Sequence, residues 1–336
     1  MKTNYQPPCT ITPEIVNRVA EISEAIGRLS VITDQAKALR LRRVNRIRTI
    51  RGSLAIEGNT LSEAQITAIL EGKRVIAPPR EVREVKNALA AYDRFDTWKP
   101  EAEKDLLEAH RILMSGLIDE AGLYRHGGVG VMEGQQVIHM APAAKRVPRL
   151  MGDLFSWLAV TDTHPLIASS IFHYEFEFIH PFADGNGRVG RLWQSLILSR
   201  WNPLFAHIPV ESMVFEHQVE YYEALQESTR KADSSPFISF MLRMILDTVT
   251  TSTPEVTPEA TPEVRLLSVL AGEMTRQQLK ESLGLKDDEH FRKAYLLPAL
   301  ESGLIEMTIP DKPRSSKQKY RLTDKGRKRM TQHGKG

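Results

Sequence analysis

The stretch His180–Arg191, H-P-F-A-D-G-N-G-R-V-G-R, limits what this chain can fold into more than any other. Leu166–Ile179 before it is apolar at most positions and free of Gly and Pro, which predicts a buried helix. Pro181 cannot continue that helix, so His180 falls at its end or in the following turn. Phe182 is apolar inside a polar loop and is expected to pin the loop to the core. Gly185 and Gly187 let the backbone turn tightly and approach a ligand without a Cβ in the way. Val189, Leu192, Trp193, Leu196 and Ile197 then repeat with helical spacing on one face. The loop therefore ends at a helix N-terminus, where free N–H groups and the helix dipole favour phosphate. Arg188 and Arg191 lie one turn apart, and each can fork onto phosphate oxygens. Asp184 is a hard oxygen ligand suited to a Mg²⁺ carried on phosphates.

The stretch resembles the signature of the Fic family, H-P-F-x-[D/E]-G-N-G-R-x-x-R, at every fixed position. Members of that family mostly transfer AMP from ATP to a hydroxyl of a target protein. The resemblance implies a mainly α fold, a Fic-type helical bundle with a small β-hairpin flap. It makes His180 the general base that takes the proton of the attacking Ser, Thr or Tyr hydroxyl; imidazole suits that task near neutral pH. Asp184 would hold Mg²⁺, and Asn186 with the N–H groups of Gly185 and Gly187 would hold the α-phosphate. Arg188 and Arg191 would hold the phosphates that leave as pyrophosphate.

Upstream, Ser53-Leu54-Ala55-Ile56-Glu57-Gly58 is similar to the family's inhibitory motif, [S/T]-x-x-x-E-[G/N]. Ser53 and Glu57 share a helix face, and Gly58 is a natural helix stop. In the family that Glu reaches the second signature arginine, here Arg191, and blocks the γ-phosphate position. Between Tyr124 and Met140, β-prone residues and glycines predict a hairpin turning near Glu133-Gly134. By resemblance it is the flap that aligns the target by strand addition, with docking at Val129, Gly130, Val131 and Met132. His173 and His180 are seven apart, but no H-E-x-x-H accompanies them and no zinc site is expected. No G-x-x-x-x-G-K-[ST] occurs either, so the phosphate site is not a P-loop.

Residues 1–60 read as an arm and helices ending in the inhibitory motif, and 61–252 as the catalytic body. The arginines among Arg40–Arg51 read as a solvated helix face rather than a nucleic-acid surface. Residues 253–263 repeat T-P-E, and prolines at that spacing favour an extended linker. Residues 264–336 follow a helix, helix, helix, hairpin pattern that resembles a winged helix, with Asp287-Asp288 opening the third helix. This tail carries 16 Lys+Arg against 9 Asp+Glu, so DNA or an acidic protein surface are both candidate partners. No apolar run is long enough to span a bilayer, and Met1–Glu14 lacks a signal-peptide pattern. The lone Cys9 excludes an intrachain disulfide. These features together predict a cytoplasmic enzyme without a membrane partner.

The resemblance implies ATP as substrate, Mg²⁺ as cofactor, and a protein target, the chain itself included. Dimers that mask or free the inhibitory helix occur in the family. Three other readings stay open: a Fic site that removes AMP or moves another nucleotide, a DNA-binding regulator whose Fic body senses nucleotide, and a protein-binding scaffold with a latent site.

Overall fold

The structure, a computed structural model, describes residues 5–32, 35–128, 130–133, 136–252, 266–267, 269–270, 272–283, 285, 287–312, 315 and 318–327. The expected linker 253–263 lies outside the described residues, as do Val129 of the expected flap and Arg314 and Lys317 of the expected wing. The chain divides into two units, Met1–Ser252 and Thr253–Gly336.

The first unit is mainly helical. It runs α1 (Pro13–Ile32), α2 (Gln35–Ile56), α3 (Glu63–Leu70), α4 (Pro79–Arg94) and α5 (Glu103–Leu113). A hairpin follows, β1 (Gly130–Glu133) and β2 (Gln136–Met140), then α6 (Val147–Leu158), α7 (Pro165–Ile179) and α8 (Asn186–Trp201). The unit ends with α9 (Val210–Glu216), α10 (Gln218–Lys231) and α11 (Ser235–Ser252).

Helix α7 is the centre. Pro165 sits in its first turn, where a missing N–H does no harm, and the His164 ring accepts the Leu166 N–H at 3.2 Å. Leu166, Ile171, Phe172, Phe176 and Ile179 are all buried, because α6, α8 and α11 pack around α7. Each such side chain contributes about 1.5–3 kcal/mol when fully buried. On α8, Val189, Leu192, Trp193, Leu196 and Ile197 are buried together, the face their spacing predicts. Helix α3 begins where Ser62 and Gln65 cap each other reciprocally.

Helix α2 holds the expected inhibitory motif at its C-terminal end. Several of its described arginine side chains have partners within the chain. Arg43 pairs with Glu71 at 2.9 Å, Arg46 with Asp93 at 2.7 Å, and Arg51 lies 5.6 Å from the Phe215 ring centroid. α2 crosses α9 at Gly52, where an added Cβ would come within 2.6 Å of the Glu211 backbone. Gly52→Ala is therefore expected to force the two helices apart and cost about 1–3 kcal/mol. Urea unfolding checks this, and an unchanged midpoint would mean that the crossing relaxes freely.

The second unit has its own core, including Leu266, Leu279, Phe291, Leu296, Ile305 and Tyr320. Thr275 caps the helix Arg276–Ser282 in a reciprocal pair with Gln278. A helical run follows from Asp288 to Glu301, with a π segment at Arg292–Leu296. Pro298, just beyond, lacks the N–H for an ordinary i→i−4 bond, which suits a widened turn there. Strands β3 (Met274–Thr275), β4 (Ile305–Met307) and β5 (Lys319–Leu322) form an antiparallel sheet in the order β3-β5-β4. The pairing of β4 with β5 follows the sequence pattern; β3 has two residues, too short to leave a periodicity. Among the described residues no helix is long and apolar enough to cross a membrane.

Candidate functional site

His180 ends α7 with φ 50 and ψ 62, a left-handed conformation uncommon for a residue with a Cβ. Buried Arg125 holds it there. Its Nε donates to His180 O at 2.7 Å, and Nη2 donates to Ile179 O at 3.3 Å and Pro142 O at 2.6 Å. Nη1 donates to Gly127 O at 2.8 Å. One guanidinium thus joins both approaches to the β1–β2 hairpin to the end of α7. The hairpin is antiparallel, with a register shift between Val131 and Met132. Gly130, Val131 and Met132 of the expected docking segment form β1.

The loop beyond His180 is fastened from inside. Phe182 is fully buried and stacks on His110, the ring centroids 3.6 Å apart and the planes 4° from parallel. His110 Nδ1 accepts the Gly122 N–H at 2.8 Å, which leaves Nε2–H to donate to Asp184 O at 3.0 Å. Burial pushes the His110 imidazole down to about 4, so it stays neutral in this role. Asn186 braces the loop through its Oδ1 and Nδ2, each 2.9 Å from the Phe182 backbone. Gly185 has φ 87, and a Cβ there would meet Met114 Sδ at 2.6 Å.

A chain of charges crosses the loop. Asp184 Oδ1 accepts from Arg188 Nη2 at 3.0 Å, and its Oδ2 from Arg80 Nη2 at 3.3 Å. Glu84 Oε1 is 3.5 Å from both Arg188 Nη1 and Arg80 Nε, and its Oε2 accepts from Asn59 Nδ2 at 2.9 Å. Asp184 is 38% exposed on its side chain, so this hard oxygen ligand is open to solvent. Among the described residues no cluster of three or more acidic, His or Cys side chains could cage a metal. That donor set fits a Mg²⁺ held by one carboxylate and the phosphates of its ligand.

Arg191 is buried and faces α2. Its Nε donates to Ser53 Oγ at 3.2 Å, and Nη2 donates to Ser53 O at 3.0 Å and Glu57 Oε1 at 2.6 Å. Burial opposes its charge, but Glu57 leads the neighbours that more than restore it. Glu57 follows the end of α2, where Gly58 turns the chain at φ 89. The Glu57 carboxylate and the Arg191 guanidinium both lie where a Cβ on Gly187 would stand. The absent side chain at Gly187 thus makes room for the ion pair.

Ser53, Glu57, Asp184–Arg188 and Arg191 are therefore brought together by α2, α8 and the loop. Arg125, Arg80 and Glu84 were not singled out by sequence reasoning. Arg80 closes the stretch 72–80 that the sequence reads as a loop, whereas α4 already starts at Pro79. Glu84 lies in the helix expected after it, and Arg125 ends the stretch 121–125 that resembles the family's body without any one residue marked.

The Fic/DOC family profile matches residues 97–198, and the profile described as the C-terminal domain of Fic-like "filamentation induced by cAMP" proteins matches 262–323. A crystal structure of a Fic family protein from Desulfovibrio desulfuricans G20 is 54% identical, covers 96% of this chain and 99% of its own, and superposes with a TM-score of 0.72. A protein adenylyltransferase Fic from Nematostella vectensis is 33% identical over 202 residues, 57% of this chain and 45% of that protein. Its counterpart from Aedes aegypti is 31% identical over 242 residues, 67% of this chain and 45% of that protein. The chain thus spans less than half the length of these curated relatives.

Proposed function

The chain belongs to the Fic family, and from that premise we propose that it is a protein adenylyltransferase held in check by Glu57. The observation that carries this reading is the 2.6 Å contact between Glu57 Oε1 and Arg191 Nη2. An acid occupies the partner position of a buried arginine in a loop built for phosphate. With Glu57 withdrawn, Arg191 would take a phosphate oxygen in its place, and Arg188 another. The N–H groups at the start of α8 would receive the α-phosphate, with Asn186 acting through its hold on the Phe182 backbone. The Gly185 N–H, which donates to Asp184 Oδ1 at 2.6 Å, would be released when Asp184 takes Mg²⁺. Asp184 would hold Mg²⁺, which when bound neutralises phosphate charge. His180 takes the proton from the target hydroxyl as its oxygen bonds to the α-phosphorus and the bond to pyrophosphate breaks. The catalytic gain comes from orientation and charge stabilisation. The target segment would pair with the backbone of Gly130–Met132, a recognition that reads little sequence.

Intact mass after incubation with Mg·ATP tests the proposal on the wild type and Glu57→Gly. A gain of one AMP, on this chain or an added target and faster in Glu57→Gly, supports it. Nucleotide binding without any transfer to protein would sink it in favour of a nucleotide sensor.

For the second unit we propose a winged helix with DNA as partner, protein docking being the rival. Two of the acids opening its third helix are paired locally: Asp288 with Lys280 at 2.9 Å and Glu289 with Lys293 at 2.8 Å. The full chain is expected to bind duplex DNA with an affinity that falls steeply with salt. Absence of binding at low salt would assign the unit to protein docking.

A further inference from the structure

Glu177 lies one helical turn before His180 and has no part in the transfer chemistry assigned to the loop. Its side chain is 10% exposed, and Oε2 is 3.8 Å from His180 Nδ1. Oε1 is wedged against Gly190, where a Cβ would come within 2.9 Å, and among the described residues it is buried without a hydrogen-bond partner. The adjacent His173 supplies no proton to it. His173 Nδ1 donates to Gln194 Oε1 at 2.6 Å, and Nε2 accepts the Tyr221 hydroxyl at 3.2 Å. His173 Nε2 presents only a lone pair to Glu177 Oε1 and lies 3.9 Å away, beyond hydrogen-bond distance. A buried carboxyl oxygen with no donor is unfavourable, and a fold that keeps one calls for a reason.

We infer that Glu177 is a positioning residue for His180, its carboxylate receiving the Nδ1 hydrogen and leaving Nε2 as the base. The inference rests on the reading of His180 as general base. At 3.8 Å the pair is longer than a hydrogen bond and would tighten to one in the substrate complex, the logic of a base oriented by a third group. The hydroxyl proton passes to Nε2, the Nδ1 hydrogen stays on the ring, and Glu177 carries the negative charge that stabilises the imidazolium.

The groups facing Glu177 come from four helices. Arg191 on α8 favours its charged form, and Glu57 at the end of α2 opposes it. Tyr221 on α10 and His173 on α7 are neutral: burial pushes the phenol up and the imidazole down to about 3. Burial, with Glu57 adding and Arg191 opposing, pushes the Glu177 carboxyl up to about 8. Removing Glu57 takes away one of the charges that raise it, so in Glu57→Gly the carboxyl ionises below that value.

The test compares Glu57→Gly with Glu57→Gly/Glu177→Gln. Glutamine keeps the size and removes the charge. The double variant is expected to lose about tenfold or more in kcat with an unchanged KM for ATP. It is also expected to lose the rise of kcat/KM with pH that reports carboxyl ionisation, and its His180 ring should titrate at lower pH by NMR. Glu177→Asp, which keeps the charge, should recover part of the rate. Equal kcat and an unmoved His180 titration would overturn the inference. If Glu57→Gly itself transfers no AMP, the adenylyltransferase reading fails, while the His180 titration still decides the pairing.

Discussion

His180→Asn in the Glu57→Gly protein is expected to lower AMP transfer by about 10²–10⁴-fold and to leave nucleotide binding intact. The size comes from the role: without a base, the hydroxyl must lose its proton to water. Binding should survive because the loop is held by groups other than the imidazole. The His180 carbonyl is held by Arg125, its N–H bonds to Phe176 O at 2.9 Å, and Phe182 and Asn186 brace the turn on its C-terminal side. Asparagine is preferable to alanine here, because the backbone at φ 50 favours a residue that tolerates the left-handed region. Intact mass for transfer and calorimetry for ATP binding read the two effects separately. Retained transfer would place the base elsewhere, and lost binding would make His180 a structural residue.

Glu57→Gly is expected to raise AMP transfer by about 10–100-fold, the equivalent of about 1.5–3 kcal/mol for a hydrogen bond between charged groups. The same change should lower stability, because Arg191 keeps only Ser53 as a described hydrogen-bond partner in a buried position. Breaking a fully buried pair costs about 3–5 kcal/mol. Glu57 is 29% exposed on its side chain, so the loss here should be smaller, about 1–3 kcal/mol. Mg·ATP should then raise the unfolding temperature more in Glu57→Gly than in the wild type, because a phosphate restores the missing partner of Arg191. Thermal unfolding with and without Mg·ATP measures this. Equal shifts in both proteins, with an unchanged transfer rate, would show that Glu57 does not guard the nucleotide position.

Local chemistry was legible where it is written in consecutive residues. Pro181 after an apolar run ends a helix in any fold. The spacing from Val189 to Ile197 buries one face of α8. The reciprocal caps of Ser62 with Gln65 and of Thr275 with Gln278 emerged with the structure. Resemblance to a known signature supplied the pairing of Glu57 with Arg191, which spacing alone could not. The role of Arg125 was not legible because nothing around it distinguishes a buried clamp from a surface arginine. Glu177 escaped notice because a carboxylate in an apolar helix carries no sign of which way it faces.

By itself the sequence determined the helix ends, the glycine-bearing loop and the residue types able to meet a metal-bound polyphosphate, because these depend on backbone sterics and on each side chain's own chemistry. Only the tertiary structure decided which groups meet. It set Glu57 on Arg191 across 134 residues, Arg80 and Glu84 beside Asp184 and Arg188, and Glu177 beside His180. Packing of α2, α4, α7 and α8 fixes those distances, and the strength of a charge pair depends on distance and burial, neither of which residue order encodes.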